Sequence, residues 1–364
     1  MTKYAIIIFW SDDDRAYIAE VPELPGCMAD RHQIPKTPIP QFHKSGPTGD
    51  RIQALMGKIA PRIHAPGVED LMTNDNDCSG YVTLDAYSPR EMACKARSIG
   101  AAKANLDFVS TLMLSILAGA FIALGACFYT TAVTGITGGL GVTRLLGGLA
   151  FSLGLILVVV AGAELFTGNA LIVMAFVSGR VSFGKLMRNW AIVFAGNMIG
   201  SLAIAALVYY AWQWKMGGSA VGVTAYNIAG AKLGLPWMTA FCSGILCNGL
   251  VCLAVWLCYS ARSTTDKILS IIFPITAFVA MGFEHSVANM FLIPYGIMLS
   301  RTSAFMSANG VAHAVSKYSP SIFTVPNFIK DNLIPVTLGN IVGGAIMVGL
   351  AYWIIYLRAD GKPE

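Results

Sequence analysis

Residues 108–364 carry only 19 charged side chains, spaced so that long stretches hold none. Four such stretches, 108–143, 189–214, 233–261 and 332–357, each exceed the about 20 apolar residues that a helix needs to cross a bilayer. A soluble fold of that size needs a charged surface that 19 groups cannot supply, so this part reads as a membrane domain. The other 26 of the 45 charges lie in residues 1–107, which are too polar to span. The apolar run Tyr4–Trp10 is broken at once by Asp12, Asp13 and Asp14, so no signal peptide is read there.

Two further apolar regions are interrupted. Glu164 divides 145–179, and Glu284 with His285 divides 268–300. Each would run about 50 Å as a straight helix, too long for one span but enough for two half-helices with a break at mid-membrane. The small residues Gly162, Gly168, Gly282 and Ala288 are expected to let the chain turn there. The reading is an all-α membrane protein with six spanning elements, the second and fifth broken. The Gly-rich tail 135–141 and the segments 131–148, 214–237 and 301–330 read as loops. Lys and Arg concentrate before span 1, between spans 2 and 3, between spans 4 and 5, and after span 6. The positive-inside rule then puts both termini in the cytoplasm.

The interrupted segments match each other. Gly162-Ala-Glu164-Leu-Phe-Thr-Gly-Asn169 and Gly282-Phe-Glu284-His-Ser-Val-Ala-Asn289 both read G-x-E-x4-N, offset by 120. Spans 3 and 6 match too: Asn189-x6-Gly196-Asn197-x2-Gly200 against Asn332-x6-Gly339-Asn340-x2-Gly343, offset by 143. A three-span unit is odd, so its second copy enters from the opposite face, the inverted-repeat plan of many transporters. Corresponding broken helices then point to the transport site, where half-helix N-termini offer partial positive charge to an anion.

The polar groups inside the spans are few. Glu164 and Glu284 at the breaks either hold the loop by accepting hydrogen bonds or relay protons. His285, at the second break, is the leading functional candidate, since an unperturbed imidazole titrates near 6.5. Thr167 at the first break either caps backbone or orients His285. Asn197, Asn248, Asn289 and Asn340 tie helices together, Asn169 and Asn289 are read with the two glutamates as structuring the break loops, and Asn248 and Asn340 are also read as pore residues. Lys232 reads as an interfacial lysine or an anion-gathering one. Of eight cysteines none forms C-x-x-C, and the four at 242–258 read as small buried hydrophobes, not a metal site. No cofactor or metal site is expected, and the net charge of +5 fits cytoplasmic loops rather than nucleic-acid binding. A zinc-protease H-E-x-x-H is absent, and Ser286 beside His285 cannot face it within a helix. An intramembrane enzyme therefore lacks a complete catalytic set, and the chain reads as a non-enzyme.

GAELFTGN at 162–169, LVCLAVW at 250–256, GFEHSVANMF at 282–291 and NLIPVTLGNIVGG at 332–344 resemble the formate/nitrite transporter family. The likeness runs from about Tyr87 to Arg358 and is nearest the formate branch. It implies an aquaporin-like protomer built as an inverted 3+3 repeat, a homopentamer in the inner membrane with one pore per subunit, and small monovalent anions as substrates. It places the family's central histidine on His285 and its loop threonine on Thr167. Its constricting residues fall on Phe151, Leu155, Phe166, Val251 and Phe278, its pore amides on Asn248 and Asn340, and its outer lysine on Lys232. A bare anion in such a constriction carries a large desolvation cost that a neutral acid escapes, so His285 is expected to protonate it in transit. Nitrite or hydrosulfide are the alternative cargoes, and a membrane-anchored regulator is the reading from another class.

The N-terminal part departs from that family. Tyr4–Trp10 and Ala16–Val21 read as a two-stranded hairpin. With Val21-Pro-Glu-Leu-Pro-Gly-Cys27 it resembles the opening of a HicB-like antitoxin domain, truncated. The expected domains are residues 1–30 as that fragment, 31–84 as a linker with a short helix near 51–68, and 85–364 as the membrane domain. Residues 85–105 resemble the family's amphipathic helix before span 1, which implies a gating role.

Overall fold

The computed structural model describes residues 7–11, 16–20, 28–30, 85–308 and 311–358. The expected linker, its short helix and the Val21–Cys27 segment lie outside the described residues. The chain divides into two compact units, Met1–Ser79 and Gly80–Glu364. In the first, β1 (Ile7–Ser11) pairs antiparallel with β2 (Ala16–Glu20), and β2 with β3 (Met28–Asp30).

Every described element of the second unit is helical. It opens with α1 (Pro89–Ala104), whose Ser88–Glu91 capping box satisfies its first N–H groups. The helices α2 (Phe108–Val133), α3 (Gly139–Ala161), α5 (Phe183–Tyr210), α7 (Trp237–Ser260) and α12 (Val325–Tyr356) are long and apolar enough to cross a membrane. Between them lie α4 (Gly168–Val177), which opens with 3₁₀ turns, and α6 (Ala220–Leu233). The expected fifth membrane element, broken at Glu284, is divided between α8 (Thr264–Ala280), of 17 residues, and α9 (Ser286–Ser300). Short helices α10 (Ser303–Met306) and α11 (Val311–Lys317) precede α12.

The helix boundaries differ from the charge-free gaps for a common reason. A gap ends at the first charge, whereas a helix continues past it. Thus α5 starts at Phe183, with Lys185 and Arg188 in its first two turns and Ser182 accepting from the Lys185 N–H. Likewise α12 starts at Val325, upstream of Lys330 and Asp331. The helix α3 begins inside the Gly-rich tail and includes Arg144. The segment 214–237, expected as loop, holds α6, and 301–330 holds α10 and α11.

Both breaks share one backbone device. Gly162 and Gly282 adopt φ of 79° and 76°, a left-handed conformation that glycine reaches without steric cost. The next N–H in each case closes a six-residue ring onto the preceding helix, Ala163 to Val158 O at 2.9 Å and Phe283 to Phe278 O at 3.0 Å, the Schellman termination. Gly168 and Ala288 do not turn the chain; they sit within the half-helices α4 and α9.

The two repeats are also packed alike. A Cβ on Gly200 would lie 2.0 Å from the Ile116 carbonyl, and one on Gly343 2.1 Å from that of Ile245. Backbone therefore meets backbone where α5 crosses α2 and where α12 crosses α7, as small residues permit in membrane bundles. The core behind these crossings is aliphatic and aromatic, with Ile122, Leu155, Phe291 and Tyr295 fully buried. Of the four clustered cysteines, Cys247, Cys252 and Cys258 are buried, but Cys242 is exposed on the outer face of α7.

Gly200→Leu and Gly343→Leu are each expected to prevent assembly or to lower stability by about 3 kcal/mol or more through overpacking. Gly184→Ala, with open space around it, should leave thermal unfolding in detergent unchanged or raise its midpoint.

Candidate functional site

Breaking a helix inside an apolar layer strands backbone groups, and each needs a partner. One asparagine per repeat provides them. Asn197 Nδ2 donates to Ser115 O (2.7 Å) and Glu164 O (3.0 Å), and its Oδ1 accepts from Phe166 N (2.9 Å). Asn340 Nδ2 donates to Gly244 O (2.8 Å) and Glu284 O (3.0 Å), and its Oδ1 accepts from Ser286 N (2.9 Å). Both are fully buried, and all three hydrogen-bonding positions of each amide match through the repeat.

The carboxylates at the breaks do a second, parallel job. Glu164 Oε2 accepts from Asn169 Nδ2 (2.7 Å), which also donates to Asn189 Oδ1 (2.9 Å). Lys103 closes this cluster at 2.9 Å from Glu164 Oε1. Glu284 Oε2 accepts from Asn289 Nδ2 (2.7 Å) and Asn332 Nδ2 (3.2 Å), and Lys232 pairs with Glu284 Oε1 at 2.7 Å. Lys232 thus points inward, as half of an ion pair. Charge distribution along the sequence assigns Lys103 only to orientation. A sharper signal is present: Lys103-x2-Leu106-x-Phe108 repeats as Lys232-x2-Leu235-x-Trp237, offset by 129.

Each cluster lies at the wall of a cavity. The wider one, about 490 Å³, is lined by Lys232, Glu284, His285, Phe151 and Phe278, with Arg144 and Lys317 toward its mouth. The narrower, about 340 Å³, is lined by Lys103, Glu164, Leu155, Lys95 and Lys267. Partial burial, and then the like charges of Lys267 and Arg262, hold the Lys95 ammonium below the usual lysine range.

His285 stands where the breaks meet. Its Nε2 is 3.0 Å from Thr167 Oγ1. Its Nδ1 accepts from the Ala288 N–H at 3.0 Å and so caps α9. An acceptor at Nδ1 leaves the neutral ring its proton on Nε2, facing Thr167. The ring also stacks on Phe278 (5.9 Å, 24°), which meets Phe151 edge-on at 5.6 Å. Phe151 and Phe278 therefore line the wide cavity and Leu155 the narrow one. Phe166 and Val251 line neither: the Phe166 ring packs edge-on against Phe194 and Trp190, and Val251 lies buried in α7. Asn248 Nδ2 donates to Thr167 O (3.1 Å) and Asn340 O (2.6 Å), while its buried Oδ1 has no partner among the described residues.

Long apolar helices, two inverted-repeat breaks and a buried polar pair between two cavities define a membrane protein of the channel and transporter class. The "Formate/nitrite transporter" family profile matches residues 90–354. Over 279 residues the chain is 45% identical to the formate channel FocA of Escherichia coli (strain K12), covering 76% of this chain and 97% of that protein. It is 44% identical to FocA of Haemophilus influenzae, over 73% of this chain and 93% of the relative. A solved pentameric formate channel with formate bound superposes with a TM-score of 0.63 at 45% identity, over 69% of this chain and 98% of the other. The chain belongs to the formate/nitrite transporter family and is a multi-pass membrane protein. The matched region excludes the first unit, and the antitoxin-like resemblance of residues 1–30 finds no support in these comparisons.

Removing one partner of a buried ion pair leaves an uncompensated charge, costing about 3–5 kcal/mol. Lys232→Met should therefore lower thermal stability more than the double change Lys232→Met/Glu284→Gln does. The same order should hold for Lys103→Met against Lys103→Met/Glu164→Gln.

Proposed function

We propose that the chain is a pH-dependent channel or transporter that carries formate, or a similar small monovalent anion, across the inner membrane. Residues 85–364 form the transport unit, assembled as a homopentamer in the bilayer with one pore per subunit and both termini cytoplasmic. It catalyses no covalent chemistry and needs no cofactor. The observation that carries the reading is the 3.0 Å contact of His285 Nε2 with Thr167 Oγ1 at the junction of two broken helices, between two cation-lined cavities. The formate channels among its relatives support the choice of anion.

The sequence of events follows from charge. An anion enters a cavity whose Lys–Glu pair is neutral as a unit, leaving Lys95 and Lys267, or Arg144 and Lys317, to attract it. Passage between Phe151, Leu155, Phe166, Val251 and Phe278 as an anion would carry the full desolvation cost. Protonation removes that cost. The proton passes from His285 Nε2, through or beside the Thr167 hydroxyl, to the anion. The ring can supply it only when water has also protonated Nδ1, which requires the Ala288 N–H cap to be released. The neutral acid then crosses with the proton from Nε2, leaving the ring neutral with its proton on Nδ1; water takes that proton and returns one to Nε2, which restores the Ala288 N–H cap. Glu164, Glu284, Asn169 and Asn289 hold the breaks in place, while Asn248 and Asn340 are the polar groups of the pore.

In liposomes, His285→Phe should abolish pH-dependent formate uptake while the protein still assembles. Undiminished proton-coupled flux in that variant would refute the mechanism. Nitrite and hydrosulfide assayed in the same vesicles decide which anion is preferred.

A further inference from the structure

The carbonyl of Thr167 is held from α7 by two side chains one turn apart. Asn248 Nδ2 donates to it at 3.1 Å, and the Cys252 thiol at 3.3 Å. Asn248 and Cys252 are both fully buried. Gly344 on α12 makes the room: a Cβ there would lie 2.3 Å from Asn248 Nδ2 and 2.8 Å from Cys252 Sγ.

The other repeat has no such clamp among the described residues. The offset of 129 that relates α2 to α7 sets Gly119 against Asn248 and Ala123 against Cys252. The offset of 143 sets Ser201 against Gly344. The carbonyl corresponding to Thr167 O is Val287 O, and its side-chain donor is Ser201 Oγ at 3.5 Å, from the third helix of the unit rather than the first. The pseudo-symmetry that governs the asparagines, the carboxylates and the lysines therefore fails at the peptide that carries Thr167.

We propose that Cys252 is a positioning residue for transport: its thiol, together with Asn248, fixes the Thr167 peptide so that Oγ1 stays on His285 Nε2. The coupling is short. Thr167 is β-branched, so its χ1 is stiff and Oγ1 follows the peptide plane. A thiol is a weak donor, but here it meets a carbonyl that a break has removed from regular helix. The inference rests on His285 and Thr167 being the proton-handling pair. The charged groups sharing the His285 cavity, Glu284, Lys232, Arg144 and Lys317, are untouched by a change at Cys252.

The test compares Cys252→Ala, which loses the donor, with Cys252→Ser, which keeps one, in the full chain reconstituted in liposomes. Formate flux is measured across pH. Cys252→Ala is expected to lose about two- to tenfold in flux, the range of one hydrogen bond, and to shift the pH at half-maximal flux. Cys252→Ser should keep the wild-type profile. An unchanged profile in Cys252→Ala, or an equal loss in Cys252→Ser, overturns the proposal. If Cys252→Ala does not assemble, Cys252→Val against Cys252→Thr makes the same comparison with near-equal shapes. A wild-type protein without pH-dependent formate flux overturns the transport reading and this inference with it; normal wild-type flux unaffected by Cys252→Ala overturns this inference alone.

Discussion

Two amide side chains, Asn197 and Asn340, make the rest of the structure possible. A helix interrupted in an apolar layer leaves N–H and C=O groups that water cannot reach, and each unsatisfied group costs several kcal/mol. Each amide takes one backbone N–H and two carbonyls, binding its break to the helix that opens the same repeat. The amides reach that far only because glycines beside them let α5 approach α2, and α12 approach α7, at backbone contact. Close packing and polar satisfaction are thus one requirement. A larger residue at Gly200 or Gly343 would part the helices and strand the break as well.

With the breaks held, the chemistry gathers where they face one another. The second break presents an imidazole where the first has Leu165, and the first a hydroxyl where the second has Val287, so the repeats differ at both of the positions that meet. Their surroundings remain alike: a Lys–Glu–Asn–Asn cluster guards each side. Each pair cancels its own charge, which makes burial tolerable, and leaves the remaining cations at each mouth to set the sign of the field.

Much of this is legible in the sequence. Charge-free gaps locate the long helices, and Glu164 and Glu284 locate the breaks, because a carboxylate survives among apolar residues only where something compensates it. The G-x-E-x4-N and N-x6-G-N-x2-G matches identify the inverted repeat. Three things are hidden. The helix α6 reads as loop, since its small and polar residues, Gly222, Thr224, Asn227 and Gly230, carry no clear periodicity; its buried face forms only when Tyr226 meets Phe305 and Phe323. Lys103 reads as a loop charge because its partner Glu164 is 61 positions away, and only the third repeat offset reveals it. The clamp on Thr167 is hidden because a cysteine in an apolar run is most simply a small hydrophobe.

The His285 ring explains why such supporting contacts matter. Its two nitrogens are committed to different elements, Nδ1 to the first turn of α9 and Nε2 to the first break. Charging the ring at Nδ1 therefore means giving up a helix cap, and moving the hydroxyl means losing the contact at Nε2. Giving up the cap costs on the order of one hydrogen bond, whereas charging the buried ring also carries the desolvation cost of an ion, so it needs water or an anion beside it. On the proposed mechanism the ring becomes cationic only when water and an anion are both at hand, and that condition would couple the proton to the cargo without a moving domain.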